Sequence, residues 1–136
     1  MSDQLPNPII SPDGAPHWAA AREERLVLQT CAKCNTPRFI PRHLCQECGS
    51  DEYDWRDASG DGVIHSLTTV HRGPTAAFRA NTPYVVALID LAEGPRMMTN
   101  IVGANAESAK IGDAVRVCFE ERQEGAKIPQ FQLAEG

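Results

Sequence analysis

Four of the five cysteines form two Cys-x-x-Cys pairs, and these are the residues of the sequence best suited to chemistry. Cys31 and Cys34 make the first pair, and Cys45 and Cys48 make the second. A Cys-x-x-Cys turn directs both sulfurs to one side of a tight loop. Two such loops facing each other give a tetrahedral four-thiolate shell, which is typical of a structural zinc site. Iron is the alternative metal, because four thiolates also bind it.

The residues next to each pair support a metal-binding loop. Such a loop needs a residue that tolerates positive φ just after its second cysteine, and Asn35 and Gly49 occupy those two positions. A closed four-thiolate shell leaves no coordination position for a water molecule. The sequence therefore predicts a zinc ion that stabilises structure rather than one that catalyses a reaction.

The elements that position these cysteines begin with a short helix. Residues 1–14 hold several prolines and small polar residues, and they predict a flexible or extended lead-in. Asp13 is a candidate helix cap, and Pro16 suits an early helical position. Trp18 and Ala21 share a face by their spacing, which allows packing either on the domain itself or on a partner protein.

A zinc ribbon follows the helix, so that residues 15–59 form one unit. Its first strand leads into Cys31, its second covers residues 38–40, and its third covers residues 53–55. A ribbon of this size buries little apolar surface. Metal binding is therefore expected to supply much of its folding free energy.

Residues 60–136 predict an all-β domain that begins at a Gly-Asp-Gly turn. Five segments are rich in β-branched or alternating apolar residues, and a helical turn over residues 104–109 separates the third from the fourth. The fold class is therefore mainly β, with an N-terminal helix, a rubredoxin-like zinc ribbon and a five-stranded OB-fold barrel. The expected strands are residues 63–71, 83–91, 96–102, 114–120 and 128–133.

Few side chains outside the cysteine pairs are candidates for catalysis. Cys118 alternates with apolar residues and is expected to be a buried, unreactive thiol. His65 and His71 share a strand face if the period is unbroken, and Asp90 stands at a strand end where a turn-capping role is expected. The sequence contains none of the Gly-x-Ser-x-Gly, His-Glu-x-x-His or phosphate-loop motifs.

The order of these parts resembles one family, the acyl-CoA-associated zinc-ribbon/OB-fold proteins once known only as a domain of unknown function. The resemblance covers roughly residues 16–133. At position 24, where members often have glycine, this chain has Glu24, which we expect to extend the helix. The matching segments are residues 25–34, 45–50, 60–66, 83–94 and 111–119.

The resemblance implies a role for the chain. Members are typically small companions of thiolase-like proteins of the sterol-carrier-protein-x type, with which they form thiolases, synthase complexes or retro-aldol lyases that act on CoA esters. The companion is non-catalytic or co-catalytic, because the nucleophile or base is located mainly on the partner. It also helps to bind the acyl-CoA.

The long connection after the first barrel strand is the candidate CoA site. Residues 71–82 carry Arg72 and Arg79 beside Phe78. In OB folds this connection commonly binds ligands. Arginines can hold the phosphates of CoA, and Phe78 can cover the adenine or the pantetheine. The alternative is a solvated surface loop.

The charge and hydropathy of the chain favour some partners over others. The net charge is −5 over 136 residues, which disfavours nucleic acid as a partner because nonspecific binding needs clustered Lys and Arg. A nucleic-acid-binding OB fold and a rubredoxin-like electron carrier remain the alternative functions. No apolar run reaches the ~20 residues of a membrane span, and no signal peptide is evident. Free cysteines favour the reducing cytoplasm.

Overall fold

The chain enters its fold through a short helix, α1 (Ala15–Arg22), in the computed structural model, which describes residues 4–134. Proline stands in the first turn, as predicted, but the residue at the N-cap is Gly14 and no side chain caps the helix. The prediction that Asp13 caps α1 is therefore wrong. The prediction that Glu24 extends α1 is also wrong, because Glu24 has a φ of 59° and this left-handed backbone follows the end of the helix.

The zinc ribbon is a three-stranded antiparallel sheet with β1 at its centre. Its strands are β1 (Val27–Cys31), β2 (Pro37–Arg38) and β3 (Tyr53–Asp57), in the order β2-β1-β3. β2 is shorter than predicted. Ile40 has a φ of 64°, and this conformation cannot continue a strand.

The remaining strands close into a barrel with the order β4-β5-β6-β8-β7. Neighbouring strands are antiparallel except β6 and β8, which are parallel. This is the five-stranded OB fold that the sequence predicts, with a 3-10 turn at Ala106–Ser108 between the third and fourth barrel strands. The strands are β4 (Asp61–Val70), β5 (Tyr84–Leu91), β6 (Arg96–Ile101), β7 (Ala114–Glu121) and β8 (Lys127–Leu133).

The barrel interior forms the main hydrophobic core. Alternate residues of β5 are buried, as expected for a strand with one face inside. Leu26 and Leu28 of the ribbon belong to the same buried cluster as barrel residues such as Phe131. The ribbon and the barrel therefore share apolar contacts, and the boundaries drawn after residues 14 and 59 stay predictions.

The strand β4 departs from a simple period of two. A β-bulge between Ile64 and Ser66 shifts the register at His65, and β4 ends at Val70. His65 and His71 therefore do not share an unbroken strand face, contrary to the sequence-based expectation. Val63 and His65 face solvent, whereas Leu67 packs against the core.

The connection after β4 contains a second short helix, α2 (Ala76–Ala80), that the sequence analysis missed. The Thr75 hydroxyl caps it by accepting a hydrogen bond from the N–H of Phe78. Across residues 4–134, no helix has the length and hydropathy needed to cross a membrane.

Candidate functional site

The four cysteines of the two Cys-x-x-Cys pairs converge on one point. All four sulfur atoms lie within 4.8 Å of one another. The Sγ atoms of Cys31 and Cys48 are 3.5 Å apart, and those of Cys34 and Cys45 are 3.6 Å apart. A tetrahedron with Zn–S bonds of ~2.3 Å places its sulfurs about 3.8 Å apart, so this donor set fits a structural zinc ion.

The two cysteine loops have the same backbone design. The N–H of Asn35 donates to the carbonyl of Cys31, and the N–H of Gly49 donates to the carbonyl of Cys45. Asn35 and Gly49 have φ values of 61° and 78°, which confirms the prediction that both adopt the left-handed conformation. Each loop thereby turns tightly enough to direct its pair of sulfurs inward.

Hydrogen bonds also lower the pKa of three of the four cysteines. The N–H of Cys34 lowers the pKa of Cys31, a neighbouring hydroxyl lowers that of Cys34, and the N–H of Cys48 lowers that of Cys45. The N–H of Ser50 lowers the pKa of Cys48, but contacts with the other sulfurs and burial outweigh it and raise that pKa to about 12. Four adjacent thiolates repel one another unless a cation lies between them.

The predicted CoA-binding residues lie together on the connection between β4 and β5. Arg72 and Arg79 are exposed, and Phe78 is half-buried with its ring 5.8 Å from that of Tyr84. Gly73 holds the loop against α2, because a Cβ there would lie 2.5 Å from the backbone of Phe78 and of Arg79. The loop therefore lies close to α2, and both arginine side chains of this connection are exposed to solvent.

A groove between α1, the segment after β2 and the strand β6 is a feature that the sequence analysis missed. His17 is buried there, and its ring meets those of Trp18 and Phe39 edge-on at 4.8 and 5.5 Å. Burial lowers the pKa of His17, while a hydrogen bond with the backbone of Val27 opposes that shift. The helical spacing of His17, Ala20 and Ala21 was the available sequence signal, since these three residues form the buried face of α1.

The groove has a volume of about 420 Å³ and an apolar rim. Ile40 and Met98 expose 57% and 68% of their surface, and Trp18 lies on the wall. A β-branched residue at positive φ is strained, and Ile40 keeps that conformation while its side chain faces solvent. Exposed apolar groups in this arrangement are typical of an interaction surface.

The structure gives Asp90 and Cys118, two of the remaining catalytic candidates, surroundings that do not favour catalysis. We expected Asp90 to cap a turn, and this prediction is wrong. Its carboxylate pairs instead with Arg96 at 2.7 Å and with His65 at 3.4 Å. The hydrogen bond from Arg96 is the main cause that lowers the pKa of Asp90. Burial, followed by the nearby charge of Glu120, raises the pKa of Cys118 and disfavours the thiolate that a nucleophile requires.

The fold and the cysteine cluster together define a protein built from a zinc ribbon and an OB fold. Residues 18–54 match the ChsH2 rubredoxin-like zinc ribbon domain, and residues 55–120 match the ChsH2 C-terminal OB-fold domain. The chain is 37% identical over 97 residues to a DUF35 domain-containing scaffold protein of Methanothermobacter thermautotrophicus, covering 70% of this chain and 72% of that protein. The chain belongs to the DUF35 family.

Two longer relatives carry the names of enzyme subunits. The chain is 40% identical over 129 residues to a probable enoyl-CoA hydratase alpha subunit of Thermomonospora curvata. It is 30% identical over 117 residues to the 3-oxo-4,17-pregnadiene-20-carboxyl-CoA hydratase alpha subunit of Mycobacterium tuberculosis. These matches include 95% and 86% of this chain but only 40% and 37% of the two relatives.

Solved structures give the same family. The DUF35 chain of the Ltp2-ChsH2(DUF35) aldolase superimposes with a TM-score of 0.85 at 39% identity, covering 94% of this chain and 99% of that chain. A DUF35 protein from Sulfolobus solfataricus matches with a TM-score of 0.62 at 15% identity, which shows the shared fold. The chain is thus homologous to subunits of hetero-complexes.

Proposed function

We propose that the chain is a small companion subunit of an acyl-CoA-processing complex, and that it supports a thiolase-like partner in thiolysis or retro-aldol cleavage of a CoA ester. The observation that carries this proposal is the match to 99% of the DUF35 chain of an aldolase complex. The site chemistry agrees, because four thiolates fill a structural metal shell and leave no position for substrate. In this proposal the partner supplies the main catalytic groups, and the complex works in the cytoplasm.

The groove beside α1 is the proposed docking surface for the thiolase-like partner. Trp18, Ile40 and Met98 supply apolar contacts of the kind that dominate interface cores. Directly after the groove residues 39–41, Arg42 and His43 are exposed and no acidic residue stands beside them, although the whole chain is acidic. The complementary partner surface is therefore apolar at its centre and acidic at its rim.

The connection carrying α2 is the proposed contact for the acyl-CoA. Arg72 and Arg79 would hold phosphate oxygens by charge-assisted hydrogen bonds, and Phe78 would cover the adenine or the pantetheine. The exposure of both arginine side chains, on the same connection as Phe78 with its ring contact to Tyr84, supports this assignment. The fixed approach of Gly73 to α2 supports it further, because it limits the positions these side chains can reach.

Reconstitution with a thiolase-like subunit tests the complex. We expect the two chains to copurify and CoA-ester cleavage to appear only in the mixture, in thiolysis and retro-aldol assays with several acyl-CoA substrates. Full activity of the isolated chain would show that the proposal is wrong. Cleavage by the partner alone at the rate of the mixture would also contradict it.

A pair of matched variants tests the docking surface. Met98 and Ile111 are each 68% exposed, but only Met98 lines the groove. We expect Met98→Asp to abolish copurification with the partner and Ile111→Asp to leave it unchanged. If both variants lost copurification equally, or if neither lost it, the docking surface would have to lie elsewhere.

Calorimetric titration with acetyl-CoA tests the ligand contact. Arg72→Ala and Arg79→Ala should each weaken binding by about tenfold, the effect of losing a hydrogen bond to a charged group. Arg56→Ala is the control, because Arg56 is an exposed arginine on the strand β3 of the ribbon. Unchanged affinity in both loop variants would remove the CoA contact from the proposal.

A further inference from the structure

A narrow crevice lies at one end of the barrel, between α2 and the turn that joins β7 to β8. It has a volume of about 70 Å³. The rings of Phe78 and Tyr84 border it, and the amide side chains of Asn100 and Gln130 also line it. Arg122 enters it from the connection after β7. The crevice thus combines two aromatic residues, whose rings are tilted by 46° against each other, with several polar groups.

Arg122, which lines this crevice, has a donor that the described residues leave without an acceptor. Its side chain is only 9% exposed, and its Nη1 atom donates to a carboxylate oxygen of Glu120 at 2.6 Å. The Nε atom is buried and has no hydrogen-bond partner within residues 4–134. Buried donors are almost always paired, so this guanidinium N–H is available to an acceptor that a ligand brings.

Residues of the lead-in cover the same crevice. Leu5 is part of its lining, and the Leu5 carbonyl accepts a hydrogen bond from Nε2 of Gln123 at 3.1 Å. Asn7 adds two bonds to the same residue: its Nδ2 donates to the Gln123 carbonyl at 3.1 Å, and its Oδ1 accepts from the Gln123 N–H at 3.0 Å. Three hydrogen bonds to one residue therefore hold residues 5–7, which we call the strap, over the crevice.

The strap has the features of a segment that can leave. Residues 5–10 belong to no helix or strand, so no ladder of backbone hydrogen bonds secures them. Just beyond the strap, Ile9 and Ile10 expose 96% and 51% of their surface. The strapped arrangement therefore leaves two large apolar side chains exposed to water, which does not stabilise it.

We propose that the crevice is a ligand site and that the strap competes for it. The ligand class is a slender molecule that carries a carbonyl oxygen next to an apolar group. The carbonyl accepts from Nε of Arg122, and the apolar group replaces the Leu5 side chain beside Phe78 and Tyr84. The choice of an acyl-CoA as this ligand rests on the proposed function, whereas the competition by the strap does not.

The test releases the strap in the full-length chain. Asn7→Ala removes two of the three hydrogen bonds, and Ile9→Ala is the control because Ile9 lies in the same segment and faces solvent. Hydrogen exchange at the Gln123 amide should quicken by about tenfold in Asn7→Ala, since its acceptor is lost, and stay unchanged in Ile9→Ala. Acetyl-CoA should bind about threefold to tenfold more tightly to Asn7→Ala than to the natural chain.

Each result decides the proposal. Unchanged exchange at Gln123 would show that no strap exists, and faster exchange with unchanged or weaker acetyl-CoA binding would show that the strap does not compete. If neither the natural chain nor a variant binds acetyl-CoA, the CoA contact of the proposed function is wrong. Competition by the strap is then tested with the dye anilinonaphthalene sulfonate, which binds exposed apolar surface. The fluorescence of this dye must then rise in Asn7→Ala alone. Equal fluorescence in all three proteins would overturn the strap.

Discussion

The ribbon and the barrel obtain their stability from different sources. From residue 32 to residue 59, Cys45 is the one buried residue, and it is a metal ligand. The barrel instead buries large apolar side chains such as Ile64, Ile89 and Phe131 almost completely. Hydrophobic burial therefore accounts for the barrel, whereas the ribbon beyond β1 depends on its four sulfurs.

The strand β1 belongs to both the barrel core and the metal site. All five of its residues are buried, and Leu28 belongs to the barrel core while Cys31 belongs to the metal site. The metal thereby fixes the segment from β2 to β3 relative to a strand that the barrel already holds. The cysteines therefore position a surface, the groove at Ile40, and the closed four-sulfur shell leaves no position for a substrate.

Metal removal gives the largest expected effect, because apparent binding free energies of structural zinc are ~10–16 kcal/mol in zinc-finger peptides. Cys34→Ser should unfold the ribbon and abolish partner binding, while the barrel keeps a cooperative thermal transition. Amide NMR spectra and metal analysis measure both effects, and the natural chain should contain one zinc per chain. Cys118→Ser is the control.

Two outcomes would contradict a ribbon that is stabilised by zinc. A folded ribbon that still binds the partner in Cys34→Ser would show that the metal contributes little. A red, iron-containing natural chain would replace the zinc assignment by a rubredoxin-like one.

Truncation of the barrel core gives the next largest effect. Phe131 is fully buried, so Phe131→Ala should lower the free energy of unfolding by about 3–5 kcal/mol. Leu44, in the ribbon, is 53% exposed, and Leu44→Ala should change the free energy of unfolding by less than ~0.5 kcal/mol. Urea titration measures both values. Similar losses in the two variants would show that the ribbon has a hydrophobic core of its own.

A smaller effect is expected at His17, where α1 meets the ribbon. Its pKa is lowered by burial, so the unfolded chain binds more protons than the folded chain at pH values between the folded pKa and about 6.5. The free energy of unfolding should therefore fall as the pH drops through that window. His17→Phe keeps an aromatic ring but no titrating group, and its stability should fall less steeply with decreasing pH.

Protonation of the cysteine sulfurs also destabilises the ribbon in acid, but it acts on both proteins. The difference between their pH profiles thus isolates His17. Parallel profiles would show that His17 is not buried as a neutral ring.

Sequence reasoning was reliable where one physical rule decides the outcome. The spacing of Cys31, Cys34, Cys45 and Cys48 is enough to specify a metal shell, and the apolar residues of β5 specify a barrel strand. The OB fold was predictable because five short strands with a helical insert between the third and the fourth are typical of it.

The failures occur where tertiary contacts override a local preference. Glu24 adopts positive φ although glycine is the usual residue for that conformation, and its carboxylate pairs with Lys127 of β8 at 2.8 Å. The bulge at His65 and the groove at Ile40 depend on partners distant in sequence. The helix α2 was accessible, because Thr75 followed by two alanines and Phe78 is an N-cap pattern.

The smallest expected effect on stability comes from the ion pairs on the outer surface of the barrel. Asp90 pairs with Arg96 and His65, and about two fifths of its side chain is exposed, at 41%. Solvent and salt screen such pairs, so Asp90→Asn should shift the melting temperature at neutral pH only slightly. Asp51→Asn is the control, because Asp51 is an exposed carboxylate on the ribbon side.

The pH dependence of this variant has a definite sign. The pKa of Asp90 is lowered, chiefly by the hydrogen bond from Arg96, so its contribution is present above the ordinary value of 3.8 and is lost as the pH falls through the folded pKa. The difference in melting temperature between Asp90→Asn and the natural chain should vanish in acid, and also in molar salt at neutral pH. A large, salt-resistant difference would mean that surface charge, and not only the buried core, holds the barrel together.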